Sequence, residues 1–173
     1  MAVLAGAAGP IRVVGNLPYN ISSPLLIRLL EFRSIVGDQH FMLQKEVVAR
    51  IVAAPGSRDY GRLGVMMQAH HEVEHLFDVG RDAFDPPPRV ESAVLRMTPL
   101  AVARCADRHA LERVLAAAFA QRRKMIRNTL LPWLAAEGLQ QSVPALSPTA
   151  RPEEIGVDVY CAIADALAHS RTA

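Results

Sequence analysis

Ile11-Arg12-Val13-Val14-Gly15-Asn16-Leu17-Pro18-Tyr19 is the stretch on which the fold turns. Residues 11–14 contain three β-branched side chains and end at Gly15, which reads as a short buried strand. Ser22-Ser23-Pro24 follows within a few residues and opens a helix, with a serine cap and a proline in the first turn. Leu25, Leu26, Leu29 and Leu30 then keep the stripe of a helix packed on a sheet. Strand, tight turn and helix make the opening unit of an α/β layer. The turn sits where open α/β sheets place their ligands, beyond the carboxyl end of a strand.

Downstream, residues 41–43 predict a second buried strand, and Val47, Val48, Ile51 and Val52 mark a helix that stops before Pro55-Gly56. Residues 63–69 predict a third helix. Residues 73–79 alternate as Val73/His75/Phe77/Val79, the period of a half-exposed strand, and residues 90–98 predict a second such strand. The order β-α-β-α-α-β-β argues for an α/β sheet whose last two strands are antiparallel. After Pro99 the pattern is helical only. Leu111, Val114, Leu115, Ala118 and Phe119 keep helical spacing, and Met125, Ile126 and Leu130 begin another stripe, broken at Pro132. Residues 144–152 read as a loop. Residues 157–167 read as a closing helix with Tyr160, Ile163, Ala164 and Leu167 on one face. The expected division is an α/β part over residues 1–100 and an all-α part over 101–173, with the boundary at 99–103.

The composition narrows the function classes. With 51% hydrophobic residues, 21% charged residues and a net charge of +2, the 173-residue chain is no disordered segment. Its length suits one domain with a full core, or a domain plus a small appendage. Cys105 and Cys161 form no CxxC pair, which argues against a disulfide framework or a zinc ribbon; both read as small apolar fillers. No metal site is expected. No apolar run approaches the 18 residues of a membrane span, and the opening MAVLAGAAGP lacks the positive start of a signal peptide. A cytoplasmic protein with no membrane partner is the expectation.

Arginine outnumbers lysine 17 to 2, a bias that a GC-rich genome produces without any functional cause. The placement of charge is more informative. Residues 1–100 balance 10 basic against 10 acidic groups, residues 101–131 carry 7 against 2, and residues 132–173 carry 2 against 5. One concentrated basic segment is the footprint of a polyanion-binding surface.

The residue types of the turn at 16–19 fit the holding of a flat aromatic amine. The Asn16 side-chain oxygen and the Leu17 carbonyl are acceptors for an exocyclic NH₂, Pro18 fixes φ, and the Tyr19 ring is a stacking surface. That is catalysis by positioning, with no side chain of unusual pKa required. Equally, the four residues alone read as a strand-ending turn whose tyrosine fills a crevice. In Ala83-Phe84-Asp85-Pro86-Pro87-Pro88-Arg89-Val90-Glu91-Ser92, the prolines favour a stiff polyproline segment. Phe84 reads either as core or as the second wall of a base clamp facing Tyr19. The run Gln121-Arg122-Arg123-Lys124-Met125-Ile126-Arg127-Asn128, taken as helical, makes Arg123 and Arg127 i, i+4 neighbours. It reads either as a solvated face or as a phosphate-binding one.

Taken in sequence, N-L-P-Y-N-I-S-S-P-L, F-M-L-Q-K-E-V, Y-G-R-L, A-F-D-P-P-P-R-V-E-S-A-V and F-x-Q-R-R-K-M-I-R-N-T-L resemble the ribosomal RNA adenine N6-dimethyltransferase family, in its bacterial small-subunit branch. The resemblance runs from about residue 11 to residue 167. It implies the second half of a Rossmann-like class I S-adenosylmethionine-dependent methyltransferase sheet, followed by a small all-α RNA-binding domain. The implied activity is dimethylation of two adjacent adenosines in a 3′-terminal hairpin of small-subunit (16S) ribosomal RNA during assembly of the 30S subunit, by a monomer. By the same resemblance Asn16 meets both the cofactor and the target amine, and Leu17 supplies the backbone acceptor. Pro18 belongs to that same catalytic turn. Tyr19 and Phe84 stack on the base, and Arg122, Arg123, Lys124 and Arg127 hold ribosomal RNA. Lys45, Glu46 and Arg62 fall in family blocks without an assigned role.

The family's glycine-rich cofactor turn and its acidic ribose ligand have no counterpart here. Gly6-Ala7-Ala8-Gly9 precedes the first strand, and no acidic residue precedes Glu31. The resemblance therefore implies an amino-terminally truncated member that binds S-adenosylmethionine weakly or not at all by itself, with an unpaired edge on the 11–14 strand. A non-catalytic RNA-binding or ribosome-assembly remnant is the alternative. DNA adenine methyltransferases usually carry Pro-Pro after the Asn or Asp, where Leu17 stands here. The Q-R-R-K-M-I-R-N-T-L block favours the small-subunit branch over the related large-subunit resistance enzymes.

Overall fold

A computed structural model describes residues 9–18, 20–121 and 123–171. Four strands, β1 (Ile11–Asn16), β2 (Val36–Gln44), β3 (His71–Val79) and β4 (Ser92–Pro99), form one mixed sheet in the order β1-β2-β4-β3. β1 runs parallel to β2, with Gly15 opposite Phe41 and Asn16 opposite Met42. β4 is antiparallel to both of its neighbours, which bears out the expected antiparallel final pair and inserts β4 between β2 and β3. The carboxyl ends of β1, β2 and β3 and the start of β4 therefore share one edge of the layer.

β2 extends well beyond the apolar residues 41–43, because Asp38, Gln39 and His40 break the pattern that marks a strand. Pairing explains the first two. Asp38 lies opposite Arg12 and accepts from its guanidinium at 2.8 and 2.7 Å. Gln39 is buried, with its Nε2 2.9 Å from Nε2 of His71.

The helices α1 (Ser22–Leu29), α2 (Lys45–Val52) and α3 (Arg62–Gln68) lie close to the expected positions. The serine cap of α1 is a correction: Ile21 occupies the cap position, no side chain caps the helix, and Ser22 is buried inside the first turn. α2 and α3 meet at Gly64, where a Cβ would stand 2.4 Å from the Arg50 carbonyl oxygen. No larger residue fits there without moving backbone.

Beyond Pro99 the described elements are helical: α4 (Arg108–Ala118), α5 (Leu130–Ala136), α6 (Val157–Ser170) and short 3-10 turns. Asp107 caps α4 by accepting from the backbone N–H groups of His109 and Ala110. Pro132 sits in the first turn of α5, where its missing N–H costs nothing. Tyr160, Ile163, Ala164 and Leu167 of α6 are all buried, as their spacing predicts.

One continuous apolar core joins the two parts. Tyr60, just ahead of α3, is fully buried and donates its hydroxyl to the Ile155 carbonyl at 2.9 Å. Tyr160 donates to Pro152 O at 2.8 Å and packs its ring 5.8 Å from that of Phe119. Each buried hydroxyl thus carries its partner with it into the core. The connector is pinned as well, with the Leu100 and Arg104 N–H groups bonded to the carbonyls of His70 and Ala69.

His70 and His71 lie at this junction, and both are almost wholly buried. Burial pushes each imidazole down to about 4, with cationic Arg33 acting in the same direction. The amide nitrogen of Gln39 can only donate, so it favours an unprotonated Nε2 on His71. The unfolded imidazoles titrate near 6.5, so between about pH 6.5 and 4 the unfolded chain binds more protons than the folded one. Stability is expected to be full above pH 6.5 and to fall progressively toward pH 4. Urea unfolding across that range measures it, and His70→Leu should flatten the slope. Gly64→Ala is expected to cost about 1–3 kcal/mol, read as a lowered urea midpoint at unchanged m-value.

Candidate active site

The parallel ladder between β1 and β2 does not stop at Asn16. The Leu17 N–H donates to the Met42 carbonyl at 3.1 Å, and the Leu17 side chain is buried beneath the turn. Gly15 sits over the same packing, where a Cβ would lie 3.4 Å from Leu17 Cδ2 and 3.7 Å from Phe41 Cδ1, ordinary contact distances. The Ile21 N–H then closes onto the Pro18 carbonyl at 3.2 Å and leads the chain into α1. Asn16 and Pro18 remain exposed at the carboxyl end of β1.

Across from this turn stands the loop between β3 and β4. A 3-10 turn at Arg81–Ala83 opens it, the Phe84 N–H bonds Arg81 O at 3.3 Å, and the peptide between Asp85 and Pro86 is cis. Asn16, Leu17, Pro18, Phe84, Pro86 and Pro88 together line a cleft of about 280 Å³. Phe84 is half-buried, which places it at the wall of the cleft instead of inside the core. None of these lining side chains is titratable. The cleft can position a neutral planar ligand by acceptors and apolar walls, and among the described residues its lining has no group that takes up or releases a proton. Tyr19 lies outside the described residues.

The basic segment is not one helix. α4 passes into a 3-10 turn at Phe119–Gln121, and the next regular element is another 3-10 turn at Ile126–Asn128. Ile126 is buried, and the N–H groups of Ile126 and Arg127 bond the carbonyls of Ala150 and Pro148, which turns the chain toward that loop. Arg123 and Arg127 therefore do not share a helix face. Arg123, Lys124 and Arg127 are all exposed, and among the described residues no acidic side chain forms an ion pair with them. Arg122 lies outside the described residues.

Sequence reasoning assigned Lys45 no role, yet it stands at a three-way junction. Its Nζ lies 2.7 Å from Asp78 and 3.0 Å from Glu91. Lys45, Arg81 and Arg89 also border a neighbouring cleft of about 490 Å³. Glu46 pairs with Arg50 one helical turn on. The Q-K-E and P-R-V-E blocks contain Lys45 and Glu91, but only the pairing of β2 with β4, Gln44 opposite Ser92, brings these two together, and the pairing of β3 with β4 adds Asp78. Cys105 and Cys161 are buried thiols, and the Cys105 thiol donates to the Asp107 carbonyl at 3.3 Å. Among the described residues no group of three or more His, Cys, Asp or Glu is placed to hold a metal. No helix of the described residues is long and apolar enough to cross a membrane.

Comparison with known proteins decides the family. Residues 4–169 match the ribosomal RNA adenine dimethylase family. The chain belongs to it. Family relatives include the ribosomal RNA small subunit methyltransferase A of Leptothrix cholodnii, 54% identical over 165 residues, and that of Pseudomonas aeruginosa, 50% identical over 169 residues. These alignments take in 95% and 96% of this chain but 60% and 62% of the relatives, so the chain spans about three fifths of their length. Among solved structures, a dimethyladenosine transferase from Plasmodium falciparum superposes with a TM-score of 0.74 at 22% identity, covering 92% of this chain and 68% of the other. The 23S ribosomal RNA methyltransferase ErmE superposes at 0.64 and 22% identity, covering 96% and 69%. Both likenesses bear on the fold, an α/β methyltransferase-like sheet with helices, in accord with the family assignment.

Proposed function

We propose that this chain supplies the adenine-positioning and RNA-holding parts of an S-adenosylmethionine-dependent enzyme that dimethylates N6 of two adjacent adenosines in a 3′-terminal hairpin of small-subunit ribosomal RNA. The observation that carries the reading is the cleft itself. In a member of the ribosomal RNA adenine dimethylase family, Asn16, Leu17 and Pro18 face Phe84 across a space with neutral walls. The names of relatives about half identical to it support the small-subunit branch. The site of action is then the cytoplasm, on the assembling 30S subunit, as a monomer.

The chain's own residues account for how an adenine would be held. The Phe84 ring offers a stacking face, which is worth roughly 1–3 kcal/mol per base. The Asn16 side-chain oxygen and the Leu17 carbonyl accept from the two N6 hydrogens and fix the direction of the nitrogen lone pair. Pro18 stiffens the turn that carries both acceptors. For Tyr19, next in sequence, the proposed role is to stack on the same base. Asn16, exposed at the end of β1, fits contact with S-adenosylmethionine and the amine together, and a cleft without Arg or Lys suits a cationic sulfonium. When bound, that group supplies an electrophilic methyl. Arg122, Arg123, Lys124 and Arg127 then hold the RNA phosphates.

Two experiments test the assignment. In the reconstituted full-length form acting on 30S particles, Asn16→Ala is expected to lower methyl transfer by about a hundredfold or more, by analogy with removal of one positioned hydrogen-bonding group at a reacting centre. RNA affinity should stay nearly unchanged, and full turnover in this variant would remove Asn16 from its role. Replacing Arg123 and Arg127 together by Ala should flatten the salt dependence of RNA binding, by roughly 0.7–0.9 in slope for each phosphate no longer neutralised. An unchanged slope places the RNA surface elsewhere.

A further inference from the structure

Lys45 is the first residue of α2, immediately after the end of β2, and it grips the 80–91 loop at both of its roots. At one root, Asp78 near the end of β3 receives the Lys45 ammonium at 2.7 Å. At the other, Glu91 just ahead of β4 receives the same ammonium at 3.0 Å, while its carbonyl accepts the Lys45 backbone N–H at 3.0 Å. The second Asp78 oxygen is engaged by His75 Nε2 at 2.8 Å. One side chain therefore closes the base of the loop that carries Phe84.

The same region of β2 holds the opposite wall of the cleft. The Met42 carbonyl fixes Leu17, and two residues later the strand hands over to Lys45. We propose that Lys45 is a positioning residue, whose bridge from Asp78 to Glu91 sets the height of Phe84 over the Asn16-Leu17-Pro18 turn. The inference rests on the reading of this cleft as an adenine pocket.

Electrostatics and exposure agree on what such a latch can do. The hydrogen bonds from Lys45 and then His75 hold the Asp78 carboxyl below its ordinary value, and those to Asp78 and Glu91 raise Lys45. The Lys45–Asp78 pair thus stays charged through neutral pH. All three side chains are about half exposed, so solvent screens the pairs and they add little to global stability. Their effect is local, on the opening of one loop.

Hydrogen exchange followed by mass spectrometry tests this on the chain itself. Lys45→Met is expected to speed exchange in peptides covering 80–91 by about three- to tenfold, the effect of losing two exposed pairs. Peptides from α4 and α6 should not change. Asp78→Asn should act in the same direction, and Lys45→Arg should restore protection. The second readout is quenching of 2-aminopurine riboside, an adenine-like probe of stacking in the cleft. Its affinity should fall several-fold in Lys45→Met and recover in Lys45→Arg. Unchanged exchange over 80–91, or faster exchange spread across the whole chain, overturns the latch whatever the probe does. Responsive exchange in a protein whose wild type takes no 2-aminopurine overturns the adenine pocket and upholds the hold on the loop.

Discussion

β2 has hydrogen-bonded neighbours on both sides, β1 in parallel and β4 antiparallel, and the cleft takes its geometry from these two registers. On one side the ladder extends past β1 to Leu17 through Met42. On the other, Gln44 opposite Ser92 brings the chain just before β4 back toward the start of α2. A slip of one residue in either ladder would send the side chains to the opposite face of the sheet and dismantle the site. The polar residues inside β2 fit this constraint. Asp38 is paired with Arg12 across the ladder and Gln39 with His71 from β3, so interactions specific to this register hold groups that an isolated strand would expose.

How much of this is legible in the sequence depends on whether a feature is local. The strand–turn–helix at 11–30 is readable because apolar spacing, Gly15 and Pro24 all act within one segment. α6 is readable for the same reason. The extent of β2 is not, because Asp38 and Gln39 are held by partners 26 and 32 positions away in sequence. The cap of α1 fails on a related point. Ser22 has the right chemistry, but it is buried as the first residue of the helix and Ile21 takes the cap position.

For the site, residue chemistry identified Asn16, Leu17, Pro18 and Phe84 as candidates, and the fold brings them to one cleft. It did not identify Lys45, because a lysine beside a glutamate at a helix start looks like ordinary surface charge. Asp78 and Glu91 lie 33 and 46 positions away, and only strand pairing makes them neighbours. The basic segment shows the opposite failure. Local charge suggested a helical stripe, whereas burial of Ile126 and two backbone bonds to the 148–150 region redirect the chain. Arg123, Lys124 and Arg127 stay exposed, but not on one helix face.

The bond from the Tyr60 hydroxyl to the Ile155 carbonyl bears on how the molecule can be divided. Charge and helix content change sharply near residue 100, which invites a cut there for chimeras or fragment expression. Such a cut would leave a buried phenol without its acceptor and strip α3 of the apolar surface supplied by α4 and α6. Modular exchange among relatives is better done by carrying the 57–69 segment along with its helical partner. The unit that can be transplanted is the one closed by packing, and it crosses the point where the composition changes.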